Sequence, residues 1–310
     1  MLELEFKPIT PDCNEAFKRF YYNKQSQNAE NSFGNLCCYE FLYHGEYAIL
    51  NNSILLTRIH LDYNKQILYY MPLYDKDTAK QENLCHKDII NMLIEDAKQR
   101  KYKIGFVIDN PQIIQNCTDA ERFEIVTNRN MFDYLYLRED LMNLKGKKYQ
   151  PKRNHINQFN ARYEYVYKSL SSDDKSDCLK MLQVWKEQEM AISPEYKRDY
   201  DDEQFVIEFL FDNFEELDVY GGGVYVENKL IAFSLGSPIN KDTFDTHIEK
   251  ADRNYMGAFT VINKEMALHL PDNYVYINRE EDKGIMGLRQ AKLSYHPFKL
   301  IEKYIAFIKD

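Results

Sequence analysis

Asp245, His247 and Glu249 alternate along the segment TFDTHIEK. In an extended strand, alternate residues project from one face. A carboxylate–imidazole–carboxylate row could hold an amine nucleophile or take its proton. It could equally be the polar side of a sheet. The residue types also suit a metal, but ligands at i, i+2 and i+4 on a flat strand close poorly around one ion, so no metal is expected. The segment runs into Arg253-Asn254-Tyr255-Met256-Gly257-Ala258, where a helix is expected to open. A helix N-terminus offers unpaired backbone N–H groups and a partial positive charge. Gly257 and Ala258 would let a pyrophosphate or carboxylate approach that backbone, and Arg253 would add a charge-assisted contact.

Two further stretches carry candidate chemistry. Asn278, Arg279, Glu280, Glu281 and Asp282 follow the apolar run YVYIN, and polar residues at the C-terminal end of a strand often face a cleft. In LRQAKLSYHP, Arg289 and Lys292 lie three apart on one helix face and could meet an anion together. Tyr295 could protonate a leaving group. From Leu141 to Tyr163 there is no acidic residue, while Lys145, Lys147, Lys148, Lys152, Arg153, Arg162 and His155 are present. In a chain of net charge −9, such a segment predicts a local anion-binding groove for a nucleotide tail, an RNA end or a lipid head group. Pro151 suits a first helical turn, and Ile156, Phe159 and Tyr163 make an apolar stripe, so 146–162 reads as a basic linker helix.

The elements that must position these residues are legible from periodicity. In the first half, strands are expected at Leu4–Ile9, in short runs over 36–70, at Lys103–Asp109, Phe123–Thr127 and Tyr134–Leu137. Helices are expected at Asp12–Tyr22 and about 84–100. In the second half, strand Tyr163–Lys168 precedes helices at about 176–190 and 203–217. A hairpin, Gly223–Val226 and Leu230–Ser237, turns at Asn228-Lys229. Strand Thr243–Lys250, a helix at 257–270, strand Tyr274–Asn278, a short helix at 284–292 and a final strand Leu300–Ile308 complete the order. The two halves share element order rather than residues, which points to duplicated α/β (α+β) domains.

The chain has 310 residues, 44 % apolar and 29 % charged. That balance excludes collagen-like, low-complexity and largely disordered classes, and the length fits two domains of roughly 150 residues. No apolar run approaches the ~18 residues of a membrane span, and MLELEFKPITPD lacks the basic and apolar regions of a signal peptide. A cytoplasmic location is expected. The six cysteines (Cys13, Cys37, Cys38, Cys85, Cys117, Cys178) form no CxxC pair and are expected as buried thiols.

Three stretches carry a resemblance: DYLYLREDLMNLKGKKYQPKRNHINQF (133–159), HIEKADRNYMGAFTVINKEMA (247–267) and INREEDKGIMGLRQAKLSYHPFKLIEKY (277–304). Through them the chain resembles an uncharacterised bacterial family related to the C-terminal domain of phosphatidylglycerol lysyltransferases, a tandem pair of GNAT-like folds. The resemblance implies an N-terminal GNAT-like domain over 1–145, the linker helix over 146–162 and a C-terminal GNAT-like domain over 163–310 that carries the donor site. In such folds the acyl donor enters a splay between two parallel strands, and its phosphates meet the loop and helix start after the first of them, here Arg253, Asn254, Gly257 and Ala258. The usual Q/R-x-x-G-x-G/A loop is altered to a single glycine with different spacing, which leaves room for an aminoacyl-tRNA donor beside a coenzyme A thioester. Lys292, Tyr295 and Pro297 look similar to the basic, aromatic and Pro-containing segment near the lysyltransferase C-terminus.

The expected function is an acyl- or aminoacyltransferase. An amine or hydroxyl of a small-molecule, peptide or lipid-head acceptor would attack the activated carbonyl of a phosphate-bearing donor, coenzyme A or a tRNA 3′ end, in a cleft between the domains. Glu249 or His247 would orient or deprotonate the nucleophile, and Tyr295 would protonate the leaving group. Lys148, Arg153, Arg289 and Lys292 would neutralise donor phosphates, with Asn278 at the strand end also contacting the donor. No tightly bound cofactor is expected. The alternatives are a GNAT-like scaffold that binds a nucleotide or RNA end without chemistry, and a plain acetyl-CoA-dependent N-acetyltransferase.

Overall fold

The computed structural model describes residues 4–22, 26–61, 65–75, 86–99, 102–117, 120–193 and 197–309. Two compact units emerge, neither of them contiguous. The first comprises Met1–Asp133, Glu281–Ile285 and Leu300–Asp310, the second Tyr134–Glu280 and Met286–Lys299. This division differs from boundaries at 145 and 163. Tyr134 onward and the basic helix both fall in the second unit, so that helix is part of a domain rather than a connector. The chain's last strand, Tyr304–Ile308, pairs with Lys103–Ile108 and Phe123–Thr127 of the first unit.

The first sheet runs Lys7–Pro8, Glu46–Leu50, Ile54–Leu61, Gln66–Tyr70, Lys103–Ile108, Tyr304–Ile308, Phe123–Thr127, with Leu73–Tyr74 also on Ile54–Leu61. Helix His86–Gln99 presents Ile89, Ile90, Leu93, Ile94 and Ala97 at helical spacing, and they pack on Leu56, Ile67, Ile104 and Phe106. The parallel pair Gln66–Tyr70 and Lys103–Ile108 stays in register from Gln66↔Lys103 to Tyr70↔Val107. Arg58 is buried here, its guanidinium donating to Glu46 at 2.7 Å and Asp96 at 2.6 Å. Residues 36–43, expected within a β-rich stretch, begin instead as short helices, Phe33–Cys38 and Glu40–Tyr43. The Ser32 side chain caps the first of them by accepting from the Asn35 N–H.

The second sheet runs Lys299–Ile301, Asp133–Leu137, Tyr276–Asn278, Thr243–Ala251, Lys229–Pro238, Tyr220–Val226, Tyr165–Leu170. The hairpin turn falls at Glu227 and Asn228, both in the left-handed region, one residue before the expected pair. Helix Lys175–Met190 buries Cys178, Met181, Leu182 and Trp185, and helix Ala258–His269 buries Val261, Ile262 and Met266. Cys37, Cys38 and Cys178 are buried free thiols, and Cys13 is half-buried. Cys85 and the Cys117 side chain lie outside the described residues. The expected single strand 300–308 is two strands that join different sheets. Among the described residues, no helix is long and apolar enough to cross a membrane.

The parallel pair of the second sheet, Thr243–Ala251 and Tyr276–Asn278, is in register only from Thr243↔Tyr276 to Asp245↔Asn278. Thr243–Ala251 then continues to Ala251 without that partner, so the sheet splays beyond Asp245.

Candidate active site

A bulge decides which side chains meet at the splay. Ser234 pairs with Glu249 and Leu235 with Ile248, but Gly236 pairs with Thr246 and Ser237 with Asp245, so His247 is an extra residue on its strand. Along Lys229–Pro238, Ser234 and Ser237 face opposite sides of the sheet. Their partners Glu249 and Asp245 therefore do so as well. The row expected from simple alternation is broken by the bulge. Asp245 and His247 point one way and Glu249 the other.

On its face, Glu249 accepts from the Arg279 Nη2 at 2.7 Å and from the Asn263 Nδ2 at 3.0 Å. Arg279 immediately follows the strand Tyr276–Asn278, and Asn263 comes from helix Ala258–His269, so this trio bridges the splay. The Glu249 and Arg279 side chains are each only 11 % exposed. The Arg279 guanidinium lies 4.9 Å from the centre of the Tyr295 ring and 5.6 Å from that of Tyr136. Two polar atoms of the trio are buried without a hydrogen-bond partner among the described residues: Arg279 Nη1, a donor, and Asn263 Oδ1, an acceptor.

Lys152 completes the cluster. Pro151 starts the helix Gln150–Asn160, and Lys152, Ile156 and Phe159 share its inward face at i, i+4 and i+7. The Lys152 Nζ sits 3.8 Å from the centre of the Tyr295 ring. Burial pulls its ammonium down to about 8, the Arg279 guanidinium deepens the drop and Glu249 opposes it. Burial likewise pushes the Tyr295 hydroxyl up to about 12, so it stays protonated at neutral pH. Thr260 hydrogen-bonds that hydroxyl, and the Tyr149 hydroxyl donates to the Tyr295 carbonyl at 3.0 Å.

The other expected site residues occupy different places. Arg153 donates to the carbonyls of Leu144 and Gly146, at 2.8 Å to the latter, and so closes the left-handed turn at Leu144. Lys148 is exposed and pairs with Asp140 at 3.5 Å. Arg253 pairs with Glu189. The N–H groups of Arg253, Asn254, Tyr255 and Ala258 already donate to Gln188, Asp252, Asp252 and Tyr255. Gly257, at φ +96°, is required for another reason than ligand approach: a Cβ there would lie 2.7 Å from the His155 carbonyl oxygen. The space expected for a pyrophosphate beside Gly257 holds the basic helix. Ala258 is buried as well. Lys292 is buried and donates to the Glu280 carbonyl at 3.1 Å and to that of Arg279, fixing the strand end that presents Arg279. Asn278 is buried and accepts from the Glu280 N–H at 2.7 Å. Arg289 is half-buried on helix Met286–Leu293. His247 lies on the opposite face, its Nε2 2.8 Å from the Ser237 Oγ and its Nδ1 3.1 Å from Glu280.

The family model of the phosphatidylglycerol lysyltransferase C-terminal domain matches residues 23–307. The chain belongs to that family. It is similar to a solved conserved protein of Bacteroides thetaiotaomicron, described as of unknown function, at 36 % identity and TM-score 0.90, covering 99 % of this chain and 100 % of that one. The L-PGS structure from Bacillus licheniformis is 14 % identical at TM-score 0.63, covering 98 % and 93 % of the two chains. A tandem GNAT protein from the clavulanic acid biosynthesis pathway is 10 % identical at TM-score 0.50, covering 99 % of each. An uncharacterized protein of Mycoplasmoides gallisepticum is 24 % identical over 183 residues, 58 % of this chain. The match spans 57 % of that relative's length. The fold is thus tandem GNAT-like.

Proposed function

We propose that the second unit transfers an activated acyl or aminoacyl group from a phosphate-bearing donor, an aminoacyl-tRNA 3′ end or a coenzyme A thioester, to an amine or hydroxyl acceptor. The supporting observation is the pair of buried, unpartnered atoms of opposite sense, Arg279 Nη1 and Asn263 Oδ1, gripping the two oxygens of Glu249 with their other ends. Burying a polar group without a partner costs free energy, roughly 1–3 kcal/mol each. A site that keeps both is prepared for a ligand that supplies an acceptor and a donor. An aminoacyl ester supplies both: its carbonyl oxygen for Arg279 and its ammonium for Asn263 and Glu249.

In this reading the acceptor's N–H or O–H attacks the carbonyl carbon and gives its proton to Lys152, whose amine is partly neutral near pH 8. The oxyanion faces Arg279 Nη1, a donor already in place. Tyr295 donates its proton to the leaving oxygen or sulfur. Glu249 orients Arg279 and the incoming amine. Lys292 acts through the backbone of Arg279, and Lys148 and Arg153 support the fold around the site rather than the donor. Thermal-shift titration with aminoacyl-tRNAs and with acyl-coenzyme A thioesters tests this. The melting temperature of the wild type rises with one donor class, and Arg279→Lys, which keeps the charge but lacks the second guanidinium arm, loses the rise. No rise with either class would refute the reading.

A further inference from the structure

The bulge that turns Glu249 away from Asp245 leaves a second cluster on the other face of the same sheet. Asp245, His247 and Glu280 each offer one ligand atom, and those atoms all lie within 4.8 Å of one another. The His247 Nδ1 is 3.1 Å from Glu280 Oε1 and 3.6 Å from Asp245 Oδ2. We propose that these three residues bind a divalent transition-metal ion of the zinc class. The third ligand, Glu280, comes from the neighbouring strand end rather than from Glu249, so the set closes in three dimensions where a single flat strand could not.

The spacing fits the chemistry. Ligands about 2.0–2.2 Å from a tetrahedral ion lie ~3.3–3.5 Å from one another. The His247–Glu280 and His247–Asp245 separations bracket that range, so ordinary side-chain adjustment admits the ion. Ser237 supplies the partner that ligating histidines use on their other nitrogen. Its Oγ is 2.8 Å from Nε2, and with Nε2–H donating to it the Nδ1 lone pair faces the two carboxylates. Ser237, His247 and Glu280 also have the order of a nucleophile–base–acid chain. However, Ser237 and the side chains of Asp245 and His247 are 0 % exposed, so a substrate carbonyl has no approach, whereas a bare ion needs little room. One imidazole and two carboxylates suit zinc, with manganese or iron as competitors, and a water would complete the shell.

The ion would sit where the parallel register ends, at Asp245↔Asn278, and would tie Glu280 to the strand Thr243–Ala251. It would thereby hold the near edge of the splay while Arg279 and Glu249 work on the far face. Its role would be structural, independent of the transfer reading.

The test uses the full chain stripped with a chelator, then titrated with zinc chloride by calorimetry and with cobalt(II) by visible absorption. One equivalent should bind. Cobalt should show d–d bands without a thiolate charge-transfer band. Glu280→Gln should weaken binding more than 10-fold and His247→Gln should abolish it. Ser237→Ala keeps all three ligands, guards against a misfolded ligand variant, and should weaken binding about 10- to 100-fold. An absence of bound metal in the wild type, stoichiometry unchanged in His247→Gln, or a thiolate band marking a cysteine site would each overturn the proposal.

Discussion

Glu249→Gln removes one charge from a pair whose side chains are each 11 % exposed. The Arg279 guanidinium then stays buried against a neutral amide. One amide oxygen replaces two carboxylate oxygens that now serve Arg279 at 2.7 Å and Asn263 at 3.0 Å. Breaking a buried ion pair from one side costs about 3–5 kcal/mol, because the remaining charge is uncompensated. In a unit of this size each kcal/mol moves the melting temperature by roughly 2–4 °C, so a drop of about 6–20 °C is expected. The double variant Glu249→Gln/Arg279→Met removes the stranded charge and should recover most of that loss, a coupling that a double-mutant cycle reads directly. Differential scanning calorimetry on the wild type, both single variants and the double variant gives the answer. A cost under about 1 kcal/mol for Glu249→Gln, or a double variant less stable than the two losses added, would refute the claim that this pair is a buried, desolvated unit.

Lys152 reads the same environment from the other side. Its ammonium titrates near 8 rather than in the usual lysine range. Between those values the unfolded chain binds the extra proton, so Lys152 penalises stability below pH 8 and the penalty lifts as pH rises toward the unfolded value. Lys152→Met should therefore raise the melting temperature at pH 7 while abolishing transfer, and the wild-type rate should climb through pH 8 in a stopped-time assay. Gly257→Ala places a Cβ 2.7 Å from the His155 carbonyl oxygen at φ +96°, and urea unfolding should show a loss of about 1–3 kcal/mol. Arg153→Ala should cost stability through its two lost carbonyl contacts, whereas Lys148→Ala, an exposed pair, should stay within about 0.5 kcal/mol; equal losses would contradict the roles assigned to them.

Periodicity located the core-facing helices well. His86–Gln99, Lys175–Met190 and Ala258–His269 lie within a few residues of where their apolar spacing places them. Two kinds of information were not local. The exchange of strands 133–137 and 304–308 between the halves depends on pairing over more than a hundred residues, which no window of sequence contains. The bulge at His247 is one extra residue defined only by its partner strand, and it reverses which carboxylate meets which face. Lys152 was within reach of the sequence. It precedes Ile156 by one turn and Phe159 by two, so the apolar stripe that marks the helix also marks Lys152 as its inward cation; Arg153 falls off the stripe, and Lys148, one turn before Lys152, lies ahead of the helix start at Gln150. Asn263 and Thr260 gave no comparable signal, being ordinary helix positions until the neighbouring strand is placed.

Single-turnover transfer of a radiolabelled aminoacyl group from tRNA, or of an acyl group from coenzyme A, to hydroxylamine measures the proposed chemistry itself. With the uncatalysed reaction subtracted, wild-type protein should form the hydroxamate from one donor class. Arg279→Lys, which loses the poised oxyanion donor, should slow it by about 100- to 1,000-fold. Transfer by Arg279→Lys and Lys152→Met at the wild-type rate would place the chemistry elsewhere in the chain.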